Sequence, residues 1–287
     1  MPNLNYKYNI PFLEGKKISN STILSNSFGA SCEKIKFEDN SYIVLKILKA
    51  KKGNYDSIYY EGKSLKFMYN TFPELFPKVL YLNNNTLVLE YINHNNIKNN
   101  NSEKDFAFKL TRIHQLKHSE FGFDFDTPIG GLRQPSNYQK SWIDFYGNNR
   151  LGMIFEEINK TDPMPKKINK GIEKILKNLK NLIPDNPKPS LIHGDLWKEN
   201  ILFNDGRLVG LIDPGIHYAH NEMEIAYLKW FKYINNNFYN YYSEIINIDK
   251  EFFNYSEIYE LYYALLNVHL WSREYIQNAA DLVSKYN

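Results

Sequence analysis

Cysteine is nearly absent from this chain of 287 residues, which contains Cys32 and no other. One thiol cannot close an internal disulfide or supply a multi-cysteine zinc site. Long apolar runs are also missing: no stretch reaches the roughly 18 consecutive apolar residues of a membrane helix, and the first twenty residues carry no apolar signal core. These absences predict a soluble protein of a reducing compartment, with the cytoplasm as its expected location and no membrane partner.

Charge of one sign is not in excess either. Lysine and arginine number 35 and aspartate and glutamate 32, which gives a formal net charge of +3. Nucleic-acid binding depends on clustered rather than summed charge, so this net charge by itself implies no nucleic-acid partner, and none is expected. With 43% hydrophobic and 23% charged residues the composition is that of a folded protein, long enough for one two-lobed unit or two modest domains.

A dense group of polar residues lies near the middle of the second half. Residues 193–200 read HGDLWKEN, and a further acid follows at Asp213. Phosphoryl transfer needs a carboxylate that accepts the proton of the attacking hydroxyl, plus an amide oxygen and a second carboxylate that hold Mg²⁺ on the nucleotide phosphates. Asp195, Asn200 and Asp213 supply these groups in that order, with the spacing of an H-x-D-L-x-x-x-N loop. The stretch predicts ATP and Mg²⁺ as cofactors.

The region from 22 to 48 alternates in the manner of strands, and one charge lies among its apolar residues. Lys46 occupies a strand where burying an unpaired ammonium would be costly, so it needs an edge position or an anionic partner. ATP phosphates and Glu61, which lies in the helical pattern 55–69, are the candidate partners. A surface lysine unrelated to Glu61 is the alternative.

Two further segments are candidate nucleotide contacts. The turn at 26–31 carries small residues that can bring backbone N–H groups against phosphates, although most such turns are only hairpins. A hairpin pattern over 79–92 leads into a polar, linker-like segment at 93–105, and an adenine could read the backbone at that junction. The candidate residues are Gly29, Ala30, Ser31, Glu90, Tyr91 and Ile92.

Helical patterns dominate from about residue 102. They cover 105–117, a segment from about 141, and 166–183, where apolar residues fall on one side. The irregular loop within 121–138 could shape an acceptor pocket. Around 204–207 the sequence NDGR predicts a tight hairpin, because Asp-Gly tolerates positive φ, and this hairpin is expected to bring Asp213 back beside Asn200.

With these residues in view, the chain resembles the fructosamine kinase (ketosamine-3-kinase) family, within the superfamily of aminoglycoside phosphotransferases and protein-kinase-like enzymes. Residues 193–200 are similar to its HGDLWxxN motif. Residues 213–222, which read DPGIHYAHNE, are similar to its DPxxYYGHxE segment. The similarity extends from the Phe-Gly-Ala-Ser-Cys run at 28–32 to residues 261–275 and so covers nearly the whole chain.

The resemblance implies an α+β, two-lobed protein-kinase-like fold. A small antiparallel-sheet N-lobe with one main helix is expected over residues 1–92, as a nucleotide-binding lobe that ends in the hinge. A larger, mostly helical C-lobe is expected over 93–287, as the catalytic and acceptor-binding lobe. The oligomeric state stays open between a monomer and a dimer.

The family's reaction implies an ATP-dependent kinase that phosphorylates the 3-hydroxyl of a fructosamine- or ribulosamine-type adduct, either free or on a protein, as a step of deglycation. Carried over to this chain, Asp195 is the base, Asn200 and Asp213 bind Mg²⁺, Lys46 binds the phosphates and Glu61 pairs with Lys46. Trp197 offers a ring face to a sugar, with core packing as its alternative. Further candidate acceptor contacts are His220 and Glu222.

Among the departures from the family pattern, Ala219 replaces a glycine within the second segment, and Glu224, two residues beyond that segment, replaces an aspartate. They leave the base and the Mg²⁺ groups intact, so they bear on the acceptor. Two other functions compete: a kinase of another hydroxyl- or amine-bearing metabolite, and a nucleotide-binding protein without turnover, which would have no need of all the catalytic groups. Cys32 is either a redox-sensitive thiol near the phosphates or a small residue that fills a strand.

Overall fold

Five antiparallel strands form the main sheet of the computed structural model, which describes residues 10–50 and 55–286. The sheet has the order β1-β2-β3-β5-β4, and alternate residues of its middle strands, such as Ile35 and Leu45, are buried in its core. The predicted strand pattern is therefore present. The strands are β1 (Ile18–Ser27), β2 (Ala30–Phe37), β3 (Tyr42–Leu48), β4 (Val79–Leu82) and β5 (Thr86–Glu90).

Helix α1 (Ser57–Thr71) packs against this sheet, with contacts to β3, β4 and β5. Its buried residues Ile58, Leu65 and Met68 fall at helical spacing on one face. The helix ends just before Pro73, which cannot continue the backbone hydrogen-bonding pattern. One sheet and one main helix thus make up the N-terminal part, as the sequence predicts.

Helices dominate the rest of the described chain. They are α2 (Ser102–His114), α3 (Trp142–Tyr146), α4 (Met153–Thr161), α5 (Lys166–Lys177), α6 (Asn221–Trp230), α7 (Asn236–Ser243), α8 (Phe252–Leu270) and α9 (Ile276–Ser284). Helix α8 is buried on nearly all sides, which explains its continuous apolar and aromatic sequence. Short strands complete the list: β6 (Thr127–Ile129), β7 (Leu132–Gln134), β8 (Ser190–Ile192), β9 (Ile201–Asn204), β10 (Arg207–Leu211) and β11 (His217–Ala219).

Several boundaries differ from the sequence prediction. Helix α2 begins and ends three residues earlier than the predicted 105–117. Helix α5 ends at Lys177 rather than 183, because Asn178 leaves the helical backbone conformation and a separate 3-10 turn follows at Leu179–Asn181. A π-helical segment, Gly147–Gly152, joins α3 to α4, and periodicity gives no sign of so local a change.

The described residues pack into two units. The first runs to Lys98 and also includes Thr127–Arg133 and Ile201–Gly215, while the second contains Asn99–Asp126, Gln134–Asn200 and the residues from Ile216 onward. The chain therefore returns to the first unit twice, as the β6–β7 region and as the β9–β10 hairpin. That hairpin has the predicted turn, with positive φ at Asp205 and Gly206.

Strand β8, which directly precedes residues 193–200, pairs antiparallel with β11. His217 lies opposite Ile192, and Tyr218 lies opposite Leu191. Because Ile192 directly precedes residues 193–200, this pairing fixes the point from which that loop departs. Among the described residues, no helix has the length and apolarity needed to cross a membrane.

Candidate active site

Lys46 is the centre of a charged cluster in the first unit. Its Nζ donates to Glu61 Oε1 at 2.7 Å and to Asp213 Oδ1 at 2.5 Å. Strand β3 places the lysine, α1 places Glu61, and the β9–β10 hairpin leads to Asp213. Burial alone disfavours the ammonium, but the two carboxylates outweigh it and raise the pKa of Lys46. The lysine is therefore a fixed cation, and the structure has the ion pair that the sequence predicts.

Asp213 differs from the other members of the cluster in exposure. Its side chain is 38% exposed, against 10% for Lys46 and 13% for Glu61. Its backbone has a φ of +58°, in the left-handed region that aspartate tolerates better than most residues. Lys46 engages one carboxylate oxygen, and the partly exposed group can offer oxygen to a cation.

Cys32 faces Lys46 across the β2–β3 register. Burial raises the pKa of its thiol to about 12, in spite of the nearby ammonium. At neutral pH the residue is therefore a thiol and a poor nucleophile, because reactive cysteines need thiolate character. This supports the interpretation of Cys32 as a small residue that fills a strand.

The turn with the candidate phosphate contacts Gly29, Ala30 and Ser31 is a two-residue β-hairpin. Phe28 and Gly29 both have positive φ, and the carbonyl of Gly29 accepts the N–H groups of Lys49 and Ala50 at 2.7 and 3.0 Å. A Cβ at Gly29 would lie 2.2 Å from the oxygen of Ala50. Glycine is thus required here by the fold itself, and phosphate binding by this turn stays a prediction.

The hinge candidates follow the end of β5. Glu90 is exposed, and its backbone N–H donates to the carbonyl of Lys78 at 2.9 Å. The ring of Tyr91 lies 3.7 Å from the ammonium of Lys34 and packs near Tyr42. The side chain of Ile92 lies where a Cβ on Gly210 would clash, which explains the glycine there. The adenine role of Glu90, Tyr91 and Ile92 stays a prediction.

In the second unit, Asp195 lies on the loop that follows β8 and is half-buried. Asn200 Nδ2 donates to the Asp195 carbonyl at 2.8 Å and to its Oδ2 at 3.3 Å. The five-residue spacing of the motif therefore closes a small loop through the asparagine amide. Because the amide nitrogen is used within the loop, the asparagine oxygen is the atom left to act as a metal ligand.

Glu224 accepts hydrogen bonds from the backbone of the same loop. Its carboxylate accepts the N–H of His193 at 3.1 Å and of Gly194 at 2.7 Å, and it lies 2.9 Å from His114 Nε2. Burial alone would raise the pKa of Glu224, but these partners outweigh it and lower that pKa. Gly194 has a φ of +87°, which lets both N–H groups face one carboxylate. Glu224 therefore holds the backbone of the loop that carries Asp195.

Tyr227 lies one turn after Glu224 on α6 and contacts the carboxylate of Asp195. Its hydroxyl donates to Asp195 Oδ1 at 3.4 Å, and its ring stacks on Tyr263 with centroids 3.7 Å apart. Burial raises the pKa of Tyr227 well above its usual value, so the phenol keeps its proton. Sequence reasoning missed this residue, because nothing local in the sequence links it to Asp195.

Trp197 is half-buried two residues after Asp195, and its ring centroid lies 6.0 Å from that of Trp271. It is therefore not a fully buried core residue. Trp271 was not a candidate in the sequence analysis, although it is 57% exposed. The pair places two indole rings close to the loop that carries Asp195.

His220 and Glu222 are buried and have internal partners. His220 Nδ1 lies 2.9 Å from the hydroxyl of Tyr259, and burial lowers the pKa of His220 to about 3. Glu222 accepts the N–H of Asp249 at 2.7 Å and the hydroxyl of Tyr255. These contacts tie the start of α6 to α8, which is a positioning role. Acceptor binding by the two residues stays a prediction that these contacts do not favour.

Asp213 in the first unit and Asn200 in the second each offer an oxygen of the kind that Mg²⁺ prefers. This ion takes oxygen ligands and is usually held by one or two protein groups together with substrate phosphates. Asp213 offers a partly exposed carboxylate, and Asn200 offers an amide oxygen whose nitrogen is already engaged. Each of the two residues thus has the chemistry of a Mg²⁺ ligand, and the binding of Mg²⁺ by Asn200 and Asp213 stays a prediction.

Sheet, helix and charged residues together define a phosphotransferase of the protein-kinase-like class. The family model described as fructosamine kinase matches residues 31–287, so the chain belongs to the fructosamine kinase family. As a member it is an ATP-dependent phosphotransferase. The functional class predicted from the motifs is thereby confirmed.

Individual relatives agree with this assignment. The probable ketoamine kinase of Vibrio cholerae is 29% identical over 201 residues, which cover 69% of this chain and 68% of that protein. A structure from Thermobifida fusca, described as a candidate fructosamine-3-kinase, superposes with a TM-score of 0.84 at 22% identity and covers 95% of this chain and 96% of its own. The gentamicin complex of the aminoglycoside phosphotransferase APH(2")-IIa has a TM-score of 0.64 at 17% identity, covering 94% and 93%. The predicted protein-kinase-like α+β fold is confirmed.

Proposed function

We propose that this chain transfers the γ-phosphoryl group of ATP to the 3-hydroxyl of a ketosamine, a sugar joined to an amine through a ketose carbon. Family membership and the similarity to a probable ketoamine kinase support the acceptor class. The observation that carries the chemistry is Asp195, a half-buried carboxylate whose two oxygens receive hydrogen bonds from Tyr227 and Asn200. A carboxylate held in this way has a fixed orientation toward an acceptor hydroxyl.

Asp195 takes the proton of the acceptor hydroxyl as its oxygen bonds to the γ-phosphorus, and the bond from that phosphorus to the β-phosphate oxygen breaks to release ADP. Lys46 is a permanent cation and neutralises phosphate charge, while Glu61 holds the lysine in place. Asn200 and Asp213 would hold Mg²⁺, which supplies charge neutralisation on the phosphates. The backbone of residues 29–31 and 90–92 would contact the nucleotide.

Trp197 would present its ring face to the sugar, since a half-exposed indole two residues from the base can pack against the apolar face of a pyranose or furanose ring. The acceptor is a free or a protein-bound ketosamine. A cytoplasmic location and a monomeric or dimeric state belong to the same proposal.

An acceptor panel tests the proposal. Purified protein is incubated with ATP, Mg²⁺ and separate acceptors: Nε-fructosyl-lysine, Nε-ribulosyl-lysine, free sugars, choline and an aminoglycoside. We expect one added phosphoryl group on the ketosamines by mass spectrometry, placed on O3 by fragmentation. Phosphorylation of another acceptor with no transfer to either ketosamine would overturn the assigned substrate class.

A further inference from the structure

Three of the four tryptophans of this chain escape full burial, and all three belong to the second unit. Trp142 is fully buried, Trp197 and Trp230 are half-buried, and Trp271 is 57% exposed. An indole ring left in water keeps a large apolar area hydrated, so a group of such rings at one place indicates a binding surface.

These rings connect to the loop that carries Asp195. Trp197 follows Asp195 by two residues and meets Trp271 with planes inclined at 57°. Tyr227, whose hydroxyl bonds to Asp195, contacts Phe231, and Phe231 contacts Trp230. Two groups of aromatic rings therefore connect to Asp195, one through the loop at Trp197 and one through Tyr227.

Hydrogen bonds fix the backbone that carries Trp271. The N–H groups of Trp271 and Ser272 both donate to the carbonyl of Asn267 at 3.0 Å, which ends α8. The next residue, Arg273, donates to the carbonyls of Asp162 and Pro163 at 2.7 and 3.1 Å. An exposed ring on a fixed backbone loses little conformational entropy when a ligand binds to it.

We infer that Trp271 and Trp197 together form the acceptor subsite for the protonated amine of the ketosamine and its alkyl arm, an inference that rests on the proposed function. The acceptor's reacting hydroxyl must reach Asp195, so its amine substituent lies near the residues that pack against Trp197. A secondary amine of this kind is protonated at neutral pH, and tryptophan is the aromatic residue that attracts such cations best. Trp271 thus adds recognition of the amine to recognition of the sugar.

Steady-state kinetics of three variants with ATP and Nε-fructosyl-lysine tests the subsite. Phe253→Ala is the matched control, because Phe253 is 59% exposed at the other end of α8, the helix that Trp271 directly follows, and its ring contacts Tyr239 and Phe252. Trp271→Ala raises the KM for fructosyl-lysine about tenfold, with kcat and the KM for ATP within about twofold of wild type. Trp271→Phe keeps an aromatic face and raises that KM by less than about threefold.

A KM for fructosyl-lysine that stays within about twofold of wild type in Trp271→Ala overturns the inference. So does an equal rise in Phe253→Ala. Circular dichroism and the thermal midpoint show whether each variant is folded. If the wild-type protein transfers no phosphate to fructosyl-lysine, the proposed function fails, and that result requires no Trp271 variant.

A neutral acceptor analogue distinguishes attraction of the ammonium to the ring of Trp271 from packing of the uncharged side chain against that ring. An ether of fructose that carries the same side chain through oxygen has no ammonium, and its inhibition constant is measured against fructosyl-lysine. Trp271→Ala weakens fructosyl-lysine about tenfold and the ether less than about threefold. Equal weakening of both overturns the assignment of the amine to Trp271. A change from dimer to monomer in Trp271→Ala by analytical ultracentrifugation overturns it as well, since the ring would then cover a second copy of the chain.

Discussion

A carboxylate that acts as a base must point at the hydroxyl that it deprotonates, and Asp195 is held by contacts from two directions. Asn200 bonds to it from within the loop, and Tyr227 reaches it from α6. The two donors also leave the carboxylate half-buried rather than enclosed, so an acceptor can approach. The contacts of Asn200 and Tyr227 therefore fix the orientation of the Asp195 carboxylate.

Tyr227→Phe tests this orientation. The variant keeps the ring stacked on Tyr263 and removes the hydroxyl, whose 3.4 Å bond to Asp195 is long. We expect kcat to fall by about threefold to tenfold, with the KM for ATP unchanged, since one weak hydrogen bond contributes about 1 kcal/mol. The pH profile of kcat should shift as well, because a donor to the carboxylate favours its charged form. Unchanged kcat and an unchanged profile would remove Tyr227 from the account.

Sequence reasoning found the residues whose role follows from local spacing. Asp195 and Asn200 lie five residues apart. Lys46 lies in an apolar strand, and this position indicates that its ammonium has an anionic partner. It missed Tyr227 and Trp271, and it treated Glu224 only as a departure from the family pattern. Each of these acts through a contact more than 29 residues away in the chain, such as the bond from Gly194 to Glu224. No period or motif encodes such a contact, because it exists only once the helices pack.

At the scale of elements, the β1–β2 hairpin depends on one glycine. Gly29 has a φ of +78°, and a Cβ there would lie 2.2 Å from the backbone oxygen of Ala50. Gly15 has a φ of +72°, but nothing lies within 4 Å of a Cβ at that position. The two glycines share a backbone conformation and differ in their surroundings, so they form a matched pair.

Gly29→Ala should lower the free energy of unfolding by about 2 kcal/mol or more, because backbone strain and a contact with backbone add together. Gly15→Ala should cost about 1 kcal/mol, which is the strain alone. Urea unfolding of both variants measures the difference. Equal losses would mean that the contact with Ala50 relaxes at no cost.

Helix α6 is the element on which the second unit's site depends. Glu224 and Tyr227 project from it to the loop of Asp195, and His220 and Glu222 at its start are bound to α8. The sequence predicted helix in this region but could not show which face meets the loop. Substitutions at its buried polar residues should therefore change both stability and turnover.

For the whole molecule, buried His220 makes stability depend on pH. Burial lowers the pKa of His220 from 6.5 to about 3, so the unfolded chain binds a proton there more readily than the folded one. Stability from this group is fully present above about pH 6.5 and is lost as the pH falls toward about 3, at roughly 1.4 kcal/mol per pH unit. The lowered pKa of Glu224 acts in the same direction at acidic pH.

The free energy of unfolding, measured between pH 7 and pH 4, should therefore fall more steeply in wild type than in His220→Gln, which has no proton to gain. The variant is expected to be less stable at neutral pH because it loses the contact with Tyr259. The test compares how steeply the free energy of unfolding changes with pH in the two proteins, and not its value at any one pH. Equal slopes would show that folding does not lower the pKa of His220.

The fold as a whole was predictable because strand alternation, helix periodicity and two motifs agree with one another. What could not be predicted is the return of the chain to the first unit at Thr127–Arg133 and Ile201–Gly215. The first of these segments packs near Phe28, where a Cβ on Gly131 would lie 3.1 Å from the Cβ of Phe28. Such returns are set by tertiary packing, while local sequence indicates only turns and short strands.

The central claim is that Asp195 is the base of phosphoryl transfer from ATP to a ketosamine hydroxyl. Asp195→Asn keeps the size of the side chain and removes its capacity to take a proton. In single-turnover reactions with Nε-fructosyl-lysine, we expect the variant to transfer phosphate about 10² to 10⁴ times more slowly than wild type, with ATP affinity unchanged. Transfer by Asp195→Asn at the wild-type rate would contradict the account.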